Sequence, residues 1–203
     1  AQLTVLLCFA VALARAKGQI DEARAEAIHA EIQALPGLVG KALGLFDAIR
    51  PVAHQLSQAK SALYLGRGAL YPLAMEGALK LKELSYIHAE GFASGEMKHG
   101  PIALIEEDLP VVALLAADSV MAKASSNLRE ASARGGKILL LSEARAAAEV
   151  DYASAVITVP DVDPLLAPIL LAIPAQILAY LTAVEKGTDV DQPRNLAKSV
   201  TVE

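Results

Sequence analysis

Residues 110–141, PVVALLAADSVMAKASSNLREASARGGKILLL, decide the fold class of this 203-residue chain. Two continuous apolar runs, at 110–115 and 137–141, flank a helical pattern at 121–134 that a pair of glycines ends. A strand that is apolar at every position is buried on both faces, which is typical of a parallel sheet covered by helices on each side. The stretch therefore predicts part of a three-layer α/β/α sandwich with a mostly parallel sheet.

The same alternation continues on both sides of this unit. Short apolar runs predict strands at 62–65 and 155–159, and longer helical patterns predict helices at 72–88 and 165–184. The last of these segments is largely apolar, so we expect a buried helix. In open parallel sheets, ligands usually bind outside the carboxyl ends of the strands. The Gly66-Arg67-Gly68 turn after the first strand is therefore expected near a binding site.

Residues 1–57 contain helical patterns and no strand pattern. The apolar run at 3–13 is too short to span a bilayer, which takes about 20 residues, and no basic segment precedes it as in a signal peptide. We expect a buried helix from a longer protein. Pro36-Gly37 is expected to end the second helix and Pro51 the third. The expected organisation is a helical lead-in over 1–57, an α/β subdomain over 58–186 and a C-terminal tail over 187–203.

Composition excludes several classes of protein. The chain is 54% hydrophobic, 20% charged and 4% aromatic, which rules out a disordered chain. Its single cysteine, Cys8, cannot form an internal disulfide and favours a reducing compartment, which we take to be the cytoplasm. A net charge of −5 argues against a nucleic-acid partner. No membrane partner is expected either.

Three charged residues share one face of the predicted 72–88 helix. Glu76, Lys80 and Glu83 are spaced by four and three positions, which places them on a single stripe. One interpretation is a solvated helix face with a glutamate–lysine pair. The alternative is a site in which one carboxylate is a general base and the lysine orients an anion. Spacing alone leaves both open.

The segment at 88–101 is polar and rich in glycine, and it is longer than a plain connection between a helix and a strand. It is expected to be a binding loop in which His99 could transfer a proton near neutral pH. The alternative is an ordinary surface histidine, with His88 at a helix end. Glu96 and the two histidines lack the spacing of a known metal site, so no metal is expected.

The tail is the third candidate region. A terminal segment is commonly disordered, but Lys198 could form a Schiff base if partial burial lowered the pKa of its amine. The chain contains no P-loop, dinucleotide-binding or nucleophile-elbow motif. From the residues alone, the prediction is therefore an α/β domain with a polar site.

Three stretches together resemble one known family. They are residues 65–90, which include LGRG and EGALKLKELSYIHAE, residues 95–101, GEMKHGP, and residues 186–203, KGTDVDQPRNLAKSVTVE. This combination resembles the second sugar-isomerase (SIS) subdomain of the glucosamine-6-phosphate synthases, also called glutamine–fructose-6-phosphate aminotransferases (isomerizing). The resemblance covers nearly the whole chain.

The resemblance implies roles for the candidate residues. Glu83 would move a proton between C1 and C2 of a fructosimine intermediate, and Lys198 would form a Schiff base with the ketose carbonyl. His99 would assist opening of the fructose 6-phosphate ring from the neighbouring subunit of a homodimer. No organic cofactor and no metal is implied. Supporting contacts to the substrate would come from three further residues: Glu76, Lys80 and Ala197.

The resemblance also implies parts of the enzyme that these 203 residues lack. They are a glutaminase domain with an N-terminal cysteine nucleophile, whose context Cys8 does not match, and the first SIS subdomain, which grips the substrate phosphate. We therefore expect a piece of a longer enzyme that is inactive alone. Two alternatives are a sugar-phosphate-binding regulatory module without catalysis and a related sugar-phosphate isomerase or deglycase. The joint presence of Glu83, His99 and Lys198 favours the enzyme over the module.

Overall fold

The chain forms a parallel β-sheet with helices on both faces. The computed structural model describes residues 1–196, and within them the sheet has five strands in the order β2-β1-β3-β4-β5, each parallel to its neighbours. This confirms the predicted α/β sandwich. In chain order the strands are β1 Ser61–Gly66, β2 His88–Ala93, β3 Pro110–Leu115, β4 Lys137–Glu143 and β5 Ala155–Val159.

Helices cover the two faces unequally. The larger core lies between the sheet and α2, α3, α4 and α7, and the smaller one lies between the sheet and α5, α6 and two 3-10 helices. Alternate residues of the central strands point into opposite cores, as Tyr64 and Leu65 do in β1. The helices are α1 Gln2–Ala16, α2 Glu22–Leu43, α3 Phe46–Ser57, α4 Leu70–Ser85, α5 Met121–Ser132, α6 Ala144–Ala147 and α7 Ala167–Lys186, and the 3-10 helices are Ser94–His99 and Pro101–Leu104.

One of the two edge strands, β2, was not predicted. Residues 88–93 were expected to belong to a binding loop, with His88 at a helix end, but they form β2, which pairs with β1 from His88 against Ser61 to Ala93 against Gly66. An edge strand has only one neighbour and is half-solvated, so it tolerates His88, Glu90 and Gly91. The apolar run that marks the central strands is therefore absent from its sequence.

The two prolines expected to end helices lie inside them. Pro36 lies within α2, and Pro51 lies within α3. A proline removes one backbone hydrogen bond but does not end a helix whose apolar face is well packed, as Leu35, Ile49 and Val52 show by their burial. The break between the helices falls instead at 44–45, and their axes differ by 55°.

The first helix is less buried than its sequence indicates. The predicted helix is present as α1, but none of its residues is buried in this chain, and Phe9 is 66% exposed. Only Leu7 and Val11 pack partly against the larger core. The helix is thus exposed in this chain alone, and its burial in a longer protein stays a prediction.

The expected burial of the last helix is confirmed. α7 is long and apolar enough to cross a membrane, but 61% of its apolar window is buried within the protein. It packs against α2, α3 and α4, and Leu170, Leu171 and Leu178 are fully inaccessible. These features are those of a core helix. Its end at Gly187, where φ is +69°, also follows the prediction.

An ion pair joins Arg24 of α2 to Asp163 in the segment that precedes α7, and it makes the free energy of unfolding depend on pH. Burial raises the pKa of Asp163, but bonds from Arg24 and from the backbone N–H of Leu165 outweigh it, so the pKa is lowered overall. A lowered folded-state pKa contributes stability above the ordinary carboxyl value, and the contribution is lost as pH falls through the folded-state pKa.

Asp163→Asn is therefore expected to lower the free energy of unfolding by about 1 kcal/mol at pH 7, a figure reduced because Arg24 is partly solvated. The difference from wild type should shrink as the pH falls below about 4, where the carboxylate of the unfolded state is protonated first, and it should vanish below the folded-state pKa. Urea unfolding of both proteins at pH 7 and pH 3 measures this. An equal difference at both pH values would contradict the assignment.

Tyr64 carries a hydroxyl that the fold does not satisfy. The side chain is fully buried in the larger core, its hydroxyl has no hydrogen-bond partner among the described residues, and burial raises its pKa. Its ring lies so close to Gly77 that a Cβ there would be 2.8 Å from the ring carbon Cε1. The ring therefore fits the core, and the hydroxyl costs stability.

Tyr64→Phe is expected to raise the free energy of unfolding by about 1 kcal/mol, because it removes an unpaired buried polar group and keeps the ring. Urea unfolding beside Tyr180→Phe, which alters a partly exposed tyrosine, measures the effect. A loss of stability at position 64 alone would show that the hydroxyl has a partner after all.

Candidate active site

The charged stripe of α4 lies beside the buried face of the helix. Leu73, Gly77 and Leu81 turn into the larger core, and the stripe occupies the adjoining half-buried positions. Lys80 Nζ lies 2.7 Å from Glu83 Oε2 and 3.8 Å from Glu76 Oε1. The three side chains predicted to share a face are therefore in contact, and the closer pair is the one between Lys80 and Glu83.

Lys80 is held in its charged form. The hydrogen bond from its ammonium to Glu83 raises its pKa above the ordinary value, against a smaller opposing effect of burial. Side-chain exposure is 33% for Lys80 and 27% for Glu83, so the pair is only partly solvated. Such a pair fixes the direction of a carboxylate while leaving one of its oxygens available.

The stripe reaches the end of the sheet opposite to the expected one. α4 begins after the carboxyl end of β1 and ends just before β2, so Glu83 lies near the amino ends of these strands. The Gly66-Arg67-Gly68 turn lies at the other end of α4. The general rule that ligands of open parallel sheets bind at the carboxyl ends of the strands therefore does not describe the position of Glu83.

The turn itself belongs to a separate polar cluster. Arg67 Nη1 donates to Asn127 Oδ1 at 3.2 Å, and the buried hydroxyl of Ser94 donates to the same oxygen at 3.4 Å. A Cβ on Gly95 would lie 2.5 Å from Arg67 Nη1, so a larger residue there would displace the guanidinium. The cluster joins the turn to α5, on the face of the sheet opposite to α4.

The tail returns to the end of α4 beside Glu83. The hydroxyl of Thr188 donates to the carbonyl of Leu84 at 2.7 Å, and the backbone N–H of Arg194 donates to the hydroxyl of Tyr86 at 2.8 Å. Ala197 and Lys198, both predicted as site residues, lie outside the described residues. The described part of the tail nevertheless contacts Leu84 and Tyr86, which follow Glu83 by one and three positions in the sequence.

His99 is not brought to this cluster within one chain. It is exposed at the end of the 3-10 helix Ser94–His99, which packs on α5 in the smaller core through Met97. The neighbouring Lys98 forms a 2.9 Å ion pair with Glu130 of α5. Since α4 covers the other face, His99 and Glu83 lie on opposite faces of the sheet.

No metal centre is apparent in the part of the chain that the structure describes. Residues 1–196 hold no group of three or more His, Cys, Asp or Glu side chains arranged to bind an ion. His88 Nε2 lies 3.7 Å from Glu90 Oε1, a pair on the surface of the edge strand. The charged groups that the structure gathers at the end of α4 are two carboxylates and a lysine.

Sequence reasoning missed two residues that shape this region, Tyr86 and Arg194. Tyr86 ends α4 with φ of +60°, and the guanidinium carbon of Arg194 lies 4.0 Å from the centroid of its ring. A glycine at position 86 would have signalled a helix end. A tyrosine gives no such signal, and the two partners are far apart in the chain.

The class of protein to which this fold belongs is given by a match to a family model. Residues 55–186 match the family model described as the SIS domain, and the chain belongs to that family.

Relatives identify a particular group within the class. The chain is 52% identical over its whole length to the glutamine–fructose-6-phosphate aminotransferase (isomerizing) of Brucella abortus and 53% identical to that of Zymomonas mobilis, and it covers 33% of each. The C-terminal domain of the Francisella tularensis enzyme matches with a TM-score of 0.87 and 40% identity, over 91% of this chain and 52% of that one. The chain thus spans about a third of the length of these curated relatives.

Proposed function

We propose that the chain is the second SIS subdomain of an enzyme that converts fructose 6-phosphate and glutamine into glucosamine 6-phosphate and glutamate. The identity of about 50% over the whole chain to enzymes of that name supports this. The observation that carries it is the Lys80–Glu83 pair at the end of α4, to which the tail returns through Arg194, four residues before Lys198. A regulatory module would need neither a positioned base nor an adjacent amine.

The first step concerns Lys198. Its amine attacks C2 of the open-chain ketose and water leaves, which gives a protonated imine. An iminium carbon withdraws electrons more strongly than a carbonyl does. Ammonia released from glutamine then replaces the lysine at C2, which frees the amine of Lys198 and leaves the fructosimine.

The second step concerns Glu83. Its carboxylate takes a proton from C1 of the protonated fructosimine, which gives an enolamine with a C1=C2 double bond. A proton is then added at C2 and the C1 hydroxyl loses its proton, so the C=N bond becomes a C–N bond and C1 becomes the aldehyde carbon. The product is the 2-amino aldose. The bond from Lys80 orients the carboxylate for this transfer. Glu76, at 3.8 Å from Lys80, supports the same lysine, and Glu76, Lys80 and Ala197 contribute to binding of the sugar.

His99 acts in a neighbouring copy of the chain. Its exposure, and its place on the sheet face opposite to Glu83, support a role outside its own site. In a homodimer, the imidazole can reach the partner's sugar and transfer the proton that opens the fructose ring. The site is therefore complete only in the dimer.

The remaining parts of the proposal concern partners and compartment. The substrate is a sugar phosphate, no organic cofactor or metal takes part, and the protein is cytoplasmic, without nucleic-acid or membrane partners. Its division is a lead-in over 1–57, the subdomain over 58–186 and a tail over 187–203. Glutamine hydrolysis and the grip on the phosphate belong to the further two-thirds of length that the relatives have.

The proposal is tested with the longer protein that carries this chain and with the 203-residue chain alone. The longer protein should form glucosamine 6-phosphate from fructose 6-phosphate and glutamine, and the chain alone should form none. Product is measured by chromatography with mass detection. Absence of product from the longer protein would reject the activity, and rapid turnover by the chain alone would reject the need for the other parts.

A further inference from the structure

Tyr86 ends α4 in a backbone conformation that a large side chain rarely adopts. Its φ of +60° and ψ of 15° lie in the left-handed region, which glycine usually occupies at this place in a helix. A bulky residue stays in such a conformation only when contacts of its side chain hold it there. The contacts of Tyr86 therefore indicate its role.

Both ends of the Tyr86 side chain are engaged by one residue of the tail. The hydroxyl oxygen accepts a hydrogen bond from the backbone N–H of Arg194 at 2.8 Å. The guanidinium carbon of Arg194 lies 4.0 Å from the ring centroid, which is the geometry of a cation–π interaction. The backbone and the side chain of Arg194 are thus both bound to Tyr86.

The segment before Arg194 is folded to make this contact. Thr188 is tied to α4 through the carbonyl of Leu84. The carboxylate of Asp189 accepts hydrogen bonds from the backbone N–H groups of Asp191 at 2.9 Å and Gln192 at 3.0 Å, which forms a turn. The tail therefore leaves α7, turns, and is fastened at Tyr86.

We propose that Tyr86 and Arg194 form a latch that presents Lys198 to Glu83, an inference that rests on the proposed function. Tyr86 follows Glu83 by three residues, and Arg194 precedes Lys198 by four. Four residues span at most about 14 Å. With the latch closed, the chain is fastened four residues before Lys198, at a point three residues after Glu83.

Opening of the latch lengthens the tether. Among residues 187–196, the hydrogen bond that then still joins the tail to α4 is that of Thr188, ten residues before Lys198. The effective concentration of a tethered group falls with about the −3/2 power of tether length, so the change from four residues to ten lowers it about fourfold. Tyr86 is therefore a positioning residue, and its loss slows imine formation without removing the chemistry.

The test uses the longer protein with three variants. Tyr86→Gly removes both contacts of the latch and suits the left-handed backbone, so α4 keeps its end. Tyr86→Phe removes the hydroxyl and keeps the ring. Tyr71→Phe, in the first turn of α4, is the matched control.

Two quantities are measured: the rate of tryptic cleavage after Arg194 and Lys198, and the rate at which borohydride traps fructose 6-phosphate on the protein at low sugar concentration. Circular dichroism checks helix content.

Tyr86→Gly is expected to speed cleavage of the tail and to slow trapping about fourfold, with Tyr86→Phe between it and wild type and Tyr71→Phe unchanged. Equal trapping in wild type and Tyr86→Gly would overturn the latch alone. No trapping in wild type would overturn the proposed function and, with it, the role given to the latch. Unchanged tryptic cleavage in Tyr86→Gly would show that the tail is not held at Tyr86.

Discussion

Glu83→Gln, introduced into the longer protein, is expected to lower kcat for glucosamine 6-phosphate formation about 1000-fold, within the range that a general base contributes. The amide has nearly the same shape as the carboxylate and can still accept the hydrogen bond from Lys80, now 2.7 Å away. It cannot take the C1 proton. KM for fructose 6-phosphate should therefore change little, because the loss is confined to the proton transfer.

The control for this substitution is Glu149→Gln, which makes the same chemical change at an exposed position after α6. It is expected to retain wild-type kcat. Both variants should unfold at the wild-type urea concentration, since a partly solvated ion pair contributes less than about 1 kcal/mol. A fall in kcat of less than about tenfold for Glu83→Gln would place the base elsewhere.

A mixture of two inactive variants is expected to recover activity. Glu83→Gln and His99→Asn should each be nearly inactive alone. In a mixed dimer, one of the two sites pairs the intact Glu83 of one subunit with the intact His99 of the other. Random exchange of subunits in a symmetric dimer should therefore restore about a quarter of the wild-type activity.

The expected gain is large because the starting activities are close to background. It is measured after the two proteins are unfolded together in urea and refolded, with each variant refolded alone as a control. Failure to exceed the sum of the separate activities would show that His99 serves its own chain. That result would require His99 to reach a sugar bound at Glu83 on the opposite face of its own sheet.

Elements with a strong local pattern could be predicted from the sequence. β3 and β4 could be predicted from their continuous apolar runs, and the end of α5 from the glycines that follow it, because these local patterns do not depend on distant residues. The stripe of Glu76, Lys80 and Glu83 follows from helical spacing alone, and the structure brings these side chains into contact.

Features that depend on tertiary contacts could not be predicted in this way. Packing of α2 overrides Pro36, and the position of β2 at the sheet edge permits polar residues that hide the strand. The contact between Tyr86 and Arg194 joins residues 108 positions apart. Local sequence also cannot show that α1 leaves Phe9 exposed, because that depends on what packs against the helix.

The proposed reaction depends on a lysine amine that the tail delivers to the Glu83 end of α4. The most direct measurement is treatment of the longer protein with fructose 6-phosphate and borohydride, followed by peptide mass spectrometry. One reduced sugar-phosphate adduct is expected, on Lys198, and it should be retained in Glu83→Gln and lost in Lys198→Arg. An adduct on another lysine, or one that survives Lys198→Arg, would contradict it.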